Sequence, residues 1–396
     1  MTTTTIATKR IESIDLLRGA VMILMALDHL RDYFSYEAFL FEPTDIDQTT
    51  ASLFFTRFIT HYCAPVFMLL AGTSAFFVGR RLEKKGLSIW LIKRGLWLMF
   101  LELTVVKFAW YFKLDMSFLE LSVIWTLGLS MIFLAGFIHL PKKVILTICS
   151  IGVLGHNLLD SVQFDTPWLF NLMVILHELA PLKETGDLSI WVYYPLIPWI
   201  FVMPLGYCMG SLYASDFDSV KRKKTLLVLG LTMTVGFFVI RFINVYGDLL
   251  PWESQETMAQ TIFSFFNVTK YPPSLLYLLI TLGPALIFLS STESLKNQLL
   301  DKMVIIGRVP MFYYIIHLFV IHIAALITAA LTGWGYHAMI LEGWVTELDR
   351  LQGYGFNLWV VYLIWVAMTV LILYPLSKVY HDYKFSNRDK WYLSYI

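Results

Sequence analysis

RIESIDLLRGAVMILMALDHLRDYF, residues 10–34, is long enough and apolar enough through its middle to cross a bilayer as one helix. It nevertheless carries Asp15, Arg18, Asp28 and His29 where a plain anchor would carry leucine. A charge inside a membrane helix costs about 2.5–3.5 kcal/mol on insertion scales, so such residues mark pairing or function. This helix does more than anchor the chain.

Similar apolar stretches recur outward from it to the other end of the sequence. The chain has 396 residues, of which 58% are hydrophobic and 16% aromatic, and its mean hydropathy is +0.65. That composition excludes a soluble domain and gives an all-α, polytopic integral membrane protein, a single domain over residues 1–396. Ten spanning helices are expected at 14–33, 54–78, 87–110, 119–138, 144–160, 189–213, 225–246, 273–291, 303–331 and 356–377. The segments 1–13, 79–86, 139–143, 214–224, 292–302 and 378–396 hold 18 Lys and Arg, whereas the alternate connections hold 5. By the positive-inside rule both termini then lie in the cytoplasm and the acidic loops outside. The first apolar run ends in His29, Arg31 and Asp32 rather than in a small-residue cleavage site, so the first helix is expected to stay attached. Cys63, Cys149 and Cys208 all fall in apolar runs, and neither a disulfide framework nor a cysteine metal site is expected.

With that orientation the histidines gather toward the outer face. His29 is about 22 Å from the inner edge of the first span, and His61 reaches nearly the same level from the second. His156, His317 and His322 also fall in the outer half, with His177 and His337 in outer loops. Histidine suits proton transfer near neutral pH; any one of these taken alone reads better as a packing histidine satisfied by a hydrogen bond, whereas for His29 the functional reading is favoured. Asp28 adjoins His29, but neighbours on a helix point about 100° apart, so a carboxylate or amide from another helix would have to orient it. There is no HExxH or comparable ligand spacing, and no metal is expected. A second cluster, Arg10, Asp15, Arg18, Lys93, Arg94 and Arg308, lies in the inner third. Guanidinium groups there would grip the phosphates of a nucleotide-like cofactor, while snorkelling to headgroups accounts for Lys93 and Arg94. Glu102, Arg241 and Lys107 are expected to neutralise one another across helices. In the sixth span, Gly206 and Gly210 are expected to admit a close neighbour.

The helix-1 pattern of Arg10, Ser13, Asp15, Arg18 and Gly19, followed by Asp28 and His29, resembles the transmembrane acyltransferase superfamily. With APVFMLLAGTSAFF from Ala64, YPLIPWIFVMPLGY from Tyr194 and GRVPMFYYIIHLFVIH from Gly307, the chain is most similar to bacterial relatives of heparan-alpha-glucosaminide N-acetyltransferase. The resemblance implies transfer of an acyl group, typically acetyl, from acyl-CoA on the cytoplasmic side of the cell membrane to a sugar or glycan outside. It implies His29 as general base, with His61 and His317 as further catalytic candidates. Arg10, Asp15, Arg18 and Arg308 would serve the CoA site, and Tyr313, Tyr314 or His317 would stabilise an oxyanion. One departure is that the outer loop 31–53 holds no histidine, where the lysosomal enzyme is thought to use one; His61 lies just beyond it. Membrane lipid is a further expected partner, nucleic acid is not, and a homodimer is left open. The alternative reading is a transporter or flippase for a polar or lipid-linked substrate, which would also need a polar path through the first, second and ninth spans.

Overall fold

A computed structural model describes residues 12–395; Arg10 lies outside the described residues. The chain opens with α1 (Glu12–Phe34) and runs through α2 (Ala51–Thr60) into α3 (Cys63–Gly79). Next comes α4 (Lys84–Leu101), continuous through a π turn with α5 (Lys107–Tyr111). Strand β1 (Phe118–Leu121) precedes α6 (Val123–Phe137), α7 (Lys142–Gly155) and α8 (Pro167–Leu176). Strands β2 (Ala180–Pro181) and β3 (Ser189–Val192) lead to α9 (Trp199–Gly210), α10 (Ser219–Ile243) and α11 (Met258–Phe266). The last third holds α12 (Leu275–Thr292), α13 (Gln298–Arg308), α14 (Pro310–Leu331), α15 (Leu358–Met368) and α16 (Tyr374–Ser386).

This is an all-α polytopic membrane protein. Among the described residues six helical stretches are long and apolar enough to cross a bilayer: Ala51–Gly79, Lys142–Leu159, Ser219–Ile243, Leu275–Thr292, Pro310–Leu331 and Leu358–Ser386. The other expected spans coincide with α1 and α4, which carry more charge, and with α6 and α9, which are short.

Several expected boundaries shift, each for a backbone reason. Residues 118–121 and 189–192 are strands rather than helix starts; β3 pairs in parallel with β1 and antiparallel with β2, forming a small sheet. Pro195 and Pro198 then delay the helix until Trp199, because proline brings no N–H and restricts the residue before it. The ninth span divides at Val309, whose φ of −129° precedes Pro310 at the first turn of α14, leaving α13 as a separate helix. The second span breaks at His61–Tyr62. Pro65 has no N–H to bond the His61 carbonyl four residues earlier, and the Tyr277 hydroxyl donates to that carbonyl instead, at 2.9 Å.

Two helix crossings fix how closely the central helices approach. A Cβ on Gly19 would lie 1.9 Å from the Met303 carbonyl oxygen, and one on Gly307 would lie 1.8 Å from that of Asp15. Backbone therefore touches backbone where α1 crosses α13. The same holds for α3 and α9, where a Cβ on Gly72 would meet Met203 O at 1.9 Å and one on Gly206 would meet Leu69 O at 2.0 Å. Gly206 thus admits its neighbour as expected.

Candidate functional site

Residue 12 and the C-terminal segment share one end of the bundle, since the Arg94 guanidinium lies 5.5 Å from the Tyr395 ring centroid and also faces the cavity reached by Arg18. We call this the N/C end and the opposite one the loop end. Two cavities open between the helices. One, of 490 Å³, faces the loop end; the other, of 240 Å³, faces the N/C end. Met25, Phe67, Val123 and Tyr314 line both, so the cavities meet at these four side chains.

The loop-end cavity is built around Asp28. Its carboxylate takes Arg31 Nη2 at 2.9 Å, Arg57 Nη1 at 3.1 Å and the Thr60 hydroxyl at 2.9 Å, with Lys270 Nζ at 4.0 Å. Arg31 also bonds Asp32 at 2.6 Å. Asp28 is only 8% exposed. Three cations on one buried carboxylate satisfy the rule that buried charge is paired. Near the rim stand Glu42, Glu120 and Glu347, with the aromatic rings of Tyr193, Tyr271 and Trp344. Burial pushes the Glu120 carboxyl up to about 7, with Glu347 adding to it. Burial also raises Glu347, helped by Glu42. Burial alone would raise the Tyr271 phenol, but Lys270, Arg57 and the Tyr194 hydroxyl outweigh it and hold it below its ordinary value.

His29 lines this cavity one residue beyond Asp28 on α1. Its Nδ1 is 2.8 Å from Nε2 of His317 on α14, and the rings stack with centroids 5.0 Å apart. His317, fully buried, turns its own Nδ1 to the Tyr313 carbonyl at 2.9 Å. The expectation that a carboxylate or amide orients His29 is therefore corrected: an imidazole does. Trp110 closes the other side, its ring edge-on at 4.7 Å. His61, at the break between α2 and α3, lines the same cavity, and its buried Nδ1 has no hydrogen-bond partner among the described residues. Tyr314 reaches both cavities, whereas Tyr313 and His317 line neither.

The N/C-end cavity is mostly apolar, walled by residues such as Met22, Leu70, Leu98, Leu127 and Met131. Arg18 and Arg94 are its charged lining groups. Arg18 is held by Asp15 at 3.0 Å, by the Gly307 carbonyl at 3.0 Å and by the Ser74 hydroxyl at 3.1 Å. Arg308 approaches the other oxygen of Asp15 at 3.4 Å and Glu12 at 3.8 Å, and lies outside the cavity lining. Lys93 is exposed on the outside of α4, as snorkelling requires, but its neighbour Arg94 turns inward.

The expected neutralisation among Glu102, Arg241 and Lys107 does not occur. Arg241 donates to four carbonyls, those of Phe265, Leu250, Ser264 and Asn267, at 2.9–3.0 Å. Glu102 accepts from the Ile124 N–H at the start of α6, and Lys107 donates to the Phe118 carbonyl. Irregular loop backbone supplies orphan carbonyls and N–H groups, which satisfy a buried charge without an opposite charge. His156 and His322 likewise face backbone carbonyls and pin loops. Sequence reasoning missed Arg57, Lys270, Tyr271 and Glu120. Arg57 and Glu120 carried a signal, a charge within an expected span (54–78 and 119–138); Lys270 and Tyr271 lie in a connection where nothing in the pattern marks them.

A family model described as heparan-alpha-glucosaminide N-acetyltransferase, catalytic, matches residues 10–252. The matched stretch takes in Arg18, Asp28, His29, Arg57 and His61 and ends before Lys270, Arg308, Tyr314 and His317. No curated protein matches the chain.

Proposed function

The chain belongs to the heparan-alpha-glucosaminide N-acetyltransferase catalytic family and is a membrane acetyltransferase; from that premise we propose that its two cavities hold donor and acceptor on either side of His29. The single observation behind this reading is that an apolar cavity ending in arginines meets a polar cavity ending in carboxylates and rings. A pantetheine-like arm suits the first and a sugar or glycan suits the second.

The family uses donors of the acetyl-CoA type, which supply an acetyl group activated as a thioester. Among this chain's residues, Arg18 and Arg94 face the N/C-end cavity and would hold the donor's phosphates. Asp15 fixes Arg18 by a salt bridge and braces Arg308 beside it. The acyl carbon would then lie at the junction beside Tyr314. From the loop-end cavity the acceptor's hydroxyl or amine attacks it, and His29 Nε2 takes the proton as the new bond forms. His29 returns that proton to the departing thiolate, so the side chain ends as it began. The Tyr314 hydroxyl is the donor best placed to stabilise the developing oxyanion. His61 contacts the acceptor from the α2–α3 break. The positive-inside pattern supports a cytoplasmic N/C end, where acyl-CoA is available, and the acceptor would then lie on the far side of a bacterial inner membrane.

Thermal stability of the detergent-purified protein tests this. Acetyl-CoA is expected to raise Tm progressively, by about 2.7 kcal/mol of stabilisation at 100 times Kd, and Arg94→Ala to weaken that response. His29→Ala is expected to keep it while losing acetyl transfer. A transporter would show no response to acetyl-CoA and no dependence on Arg94.

A further inference from the structure

We infer that His317 is a positioning residue that fixes His29 as the tautomer carrying its proton on Nδ1, leaving Nε2 as a lone pair toward the loop-end cavity. The inference rests on the acetyltransferase reading for its consequence but not for its geometry.

Hydrogen-bond valence along three groups carries the argument. The Tyr313 carbonyl can only accept, so the His317 Nδ1 lying 2.9 Å from it must carry a proton. A neutral His317 then has its lone pair on Nε2. That lone pair lies 2.8 Å from His29 Nδ1, which must therefore be the donor. A neutral His29 is left with Nε2 unprotonated, and among the described residues no hydrogen bond engages that atom. The order carbonyl, imidazole, imidazole does what a carboxylate does behind the histidine of a serine hydrolase, which is to select tautomer and hold the ring. It differs in that the acceptor is neutral.

His317 is thereby excluded as an oxyanion donor, since its N–H is committed to Tyr313 and its Nε2 accepts. Charging His317 would reverse the central hydrogen bond. His29 would then accept at Nδ1 and carry its proton on Nε2, where it cannot act as a base. The resting pair works with one proton on each ring, and a second proton on either before the acceptor attacks blocks the reaction. The charged and titratable groups facing the pair are Asp28, Arg31 and Lys270 around His29, with Tyr313 and Tyr314 against His317.

The test uses full-length protein labelled with ¹⁵N-histidine in detergent, with His29 assigned by its loss in His29→Gln. Wild type is expected to show His29 protonated on Nδ1 at neutral pH. His317→Gln places an acceptor oxygen near the position of Nε2 and is expected to preserve that signature, whereas His317→Leu removes the acceptor and is expected to lose it. In acetyl transfer from acetyl-CoA to glucosamine, His317→Leu should lower kcat by about 10²-fold with KM little changed, and His317→Gln should recover most of the loss. A proton on His29 Nε2 in wild type, or an unaltered tautomer in His317→Leu, overturns the inference. The expected tautomers in a protein that binds no acetyl-CoA would sink the reading of the N/C-end cavity as an acetyl-CoA site and leave the positioning role standing.

Discussion

The two ends of α1 use charge in opposite ways. At the N/C end Asp15 is bracketed by Arg18 and Arg308, and those pairs brace the close backbone crossing at Gly19 and Gly307. The result is a wall, and the cavity behind it is mostly apolar. At the loop end Asp28 gathers Arg31, Arg57 and Lys270 from three different segments, and their heads line open space beside His29. One set of charges braces a helix contact and leaves Arg18 facing the apolar cavity; the other furnishes a chamber. A charge count along the helix cannot separate them, but the partners can.

The contrast can be broken most forcefully at His29. His29→Ala should reduce acetyl transfer by about 10²–10⁴-fold, the usual worth of general base catalysis, without loss of folding. A residual rate within tenfold of wild type would move the base to His61. Asp28→Ala should rank next, measured as stability, because three cations lose their shared carboxylate. A loss of about 3–5 kcal/mol is expected, and a loss as small as that of an exposed ion pair would mean that the cavity's water compensates the cations. Gly307→Ala probes the wall instead. Its Cβ cannot fit without parting α1 from α13, so about 1–3 kcal/mol of stability should be lost while the chamber at the loop end stays intact.

The smallest effect is a pH dependence at the rim. Burial first, then Glu347, holds the Glu120 carboxyl near 7 in the folded protein, above its ordinary value near 4.5. Folding therefore disfavours its charged form, so this group's contribution rises as pH falls from 7 to 4.5 and is lost as pH climbs back. Glu120→Gln should flatten that part of the stability profile. An unchanged profile would assign the slope to another carboxylate.

Much of the molecule is legible in the sequence because membranes make charge conspicuous. Asp15, Arg18, Asp28 and His29 stand out in an apolar helix, and the apolar runs give the fold class. The break before Pro310 has a sequence cause, but the run GRVPMFYYII is apolar enough on both sides to read as one span. The strands at 118–121 and 189–192 are short and apolar, and their pairing is set by residues about 70 positions apart. Convergence of Arg57 and Lys270 on Asp28 likewise depends on tertiary packing. Arg241 shows the opposite error, since a buried arginine suggests a carboxylate partner and finds four carbonyls instead.

The central claim is that the N/C-end cavity is the donor's path to His29, and filling that cavity tests it directly. Ala71 lines it at the α3 wall, and Ala71→Trp should occupy the space without touching His29 or Asp28. Thermal stability measured against acetyl-CoA concentration is expected to rise for wild type and for His29→Ala and to stay flat for a folded Ala71→Trp. Stabilisation that survives in Ala71→Trp, or none in wild type, would contradict the account.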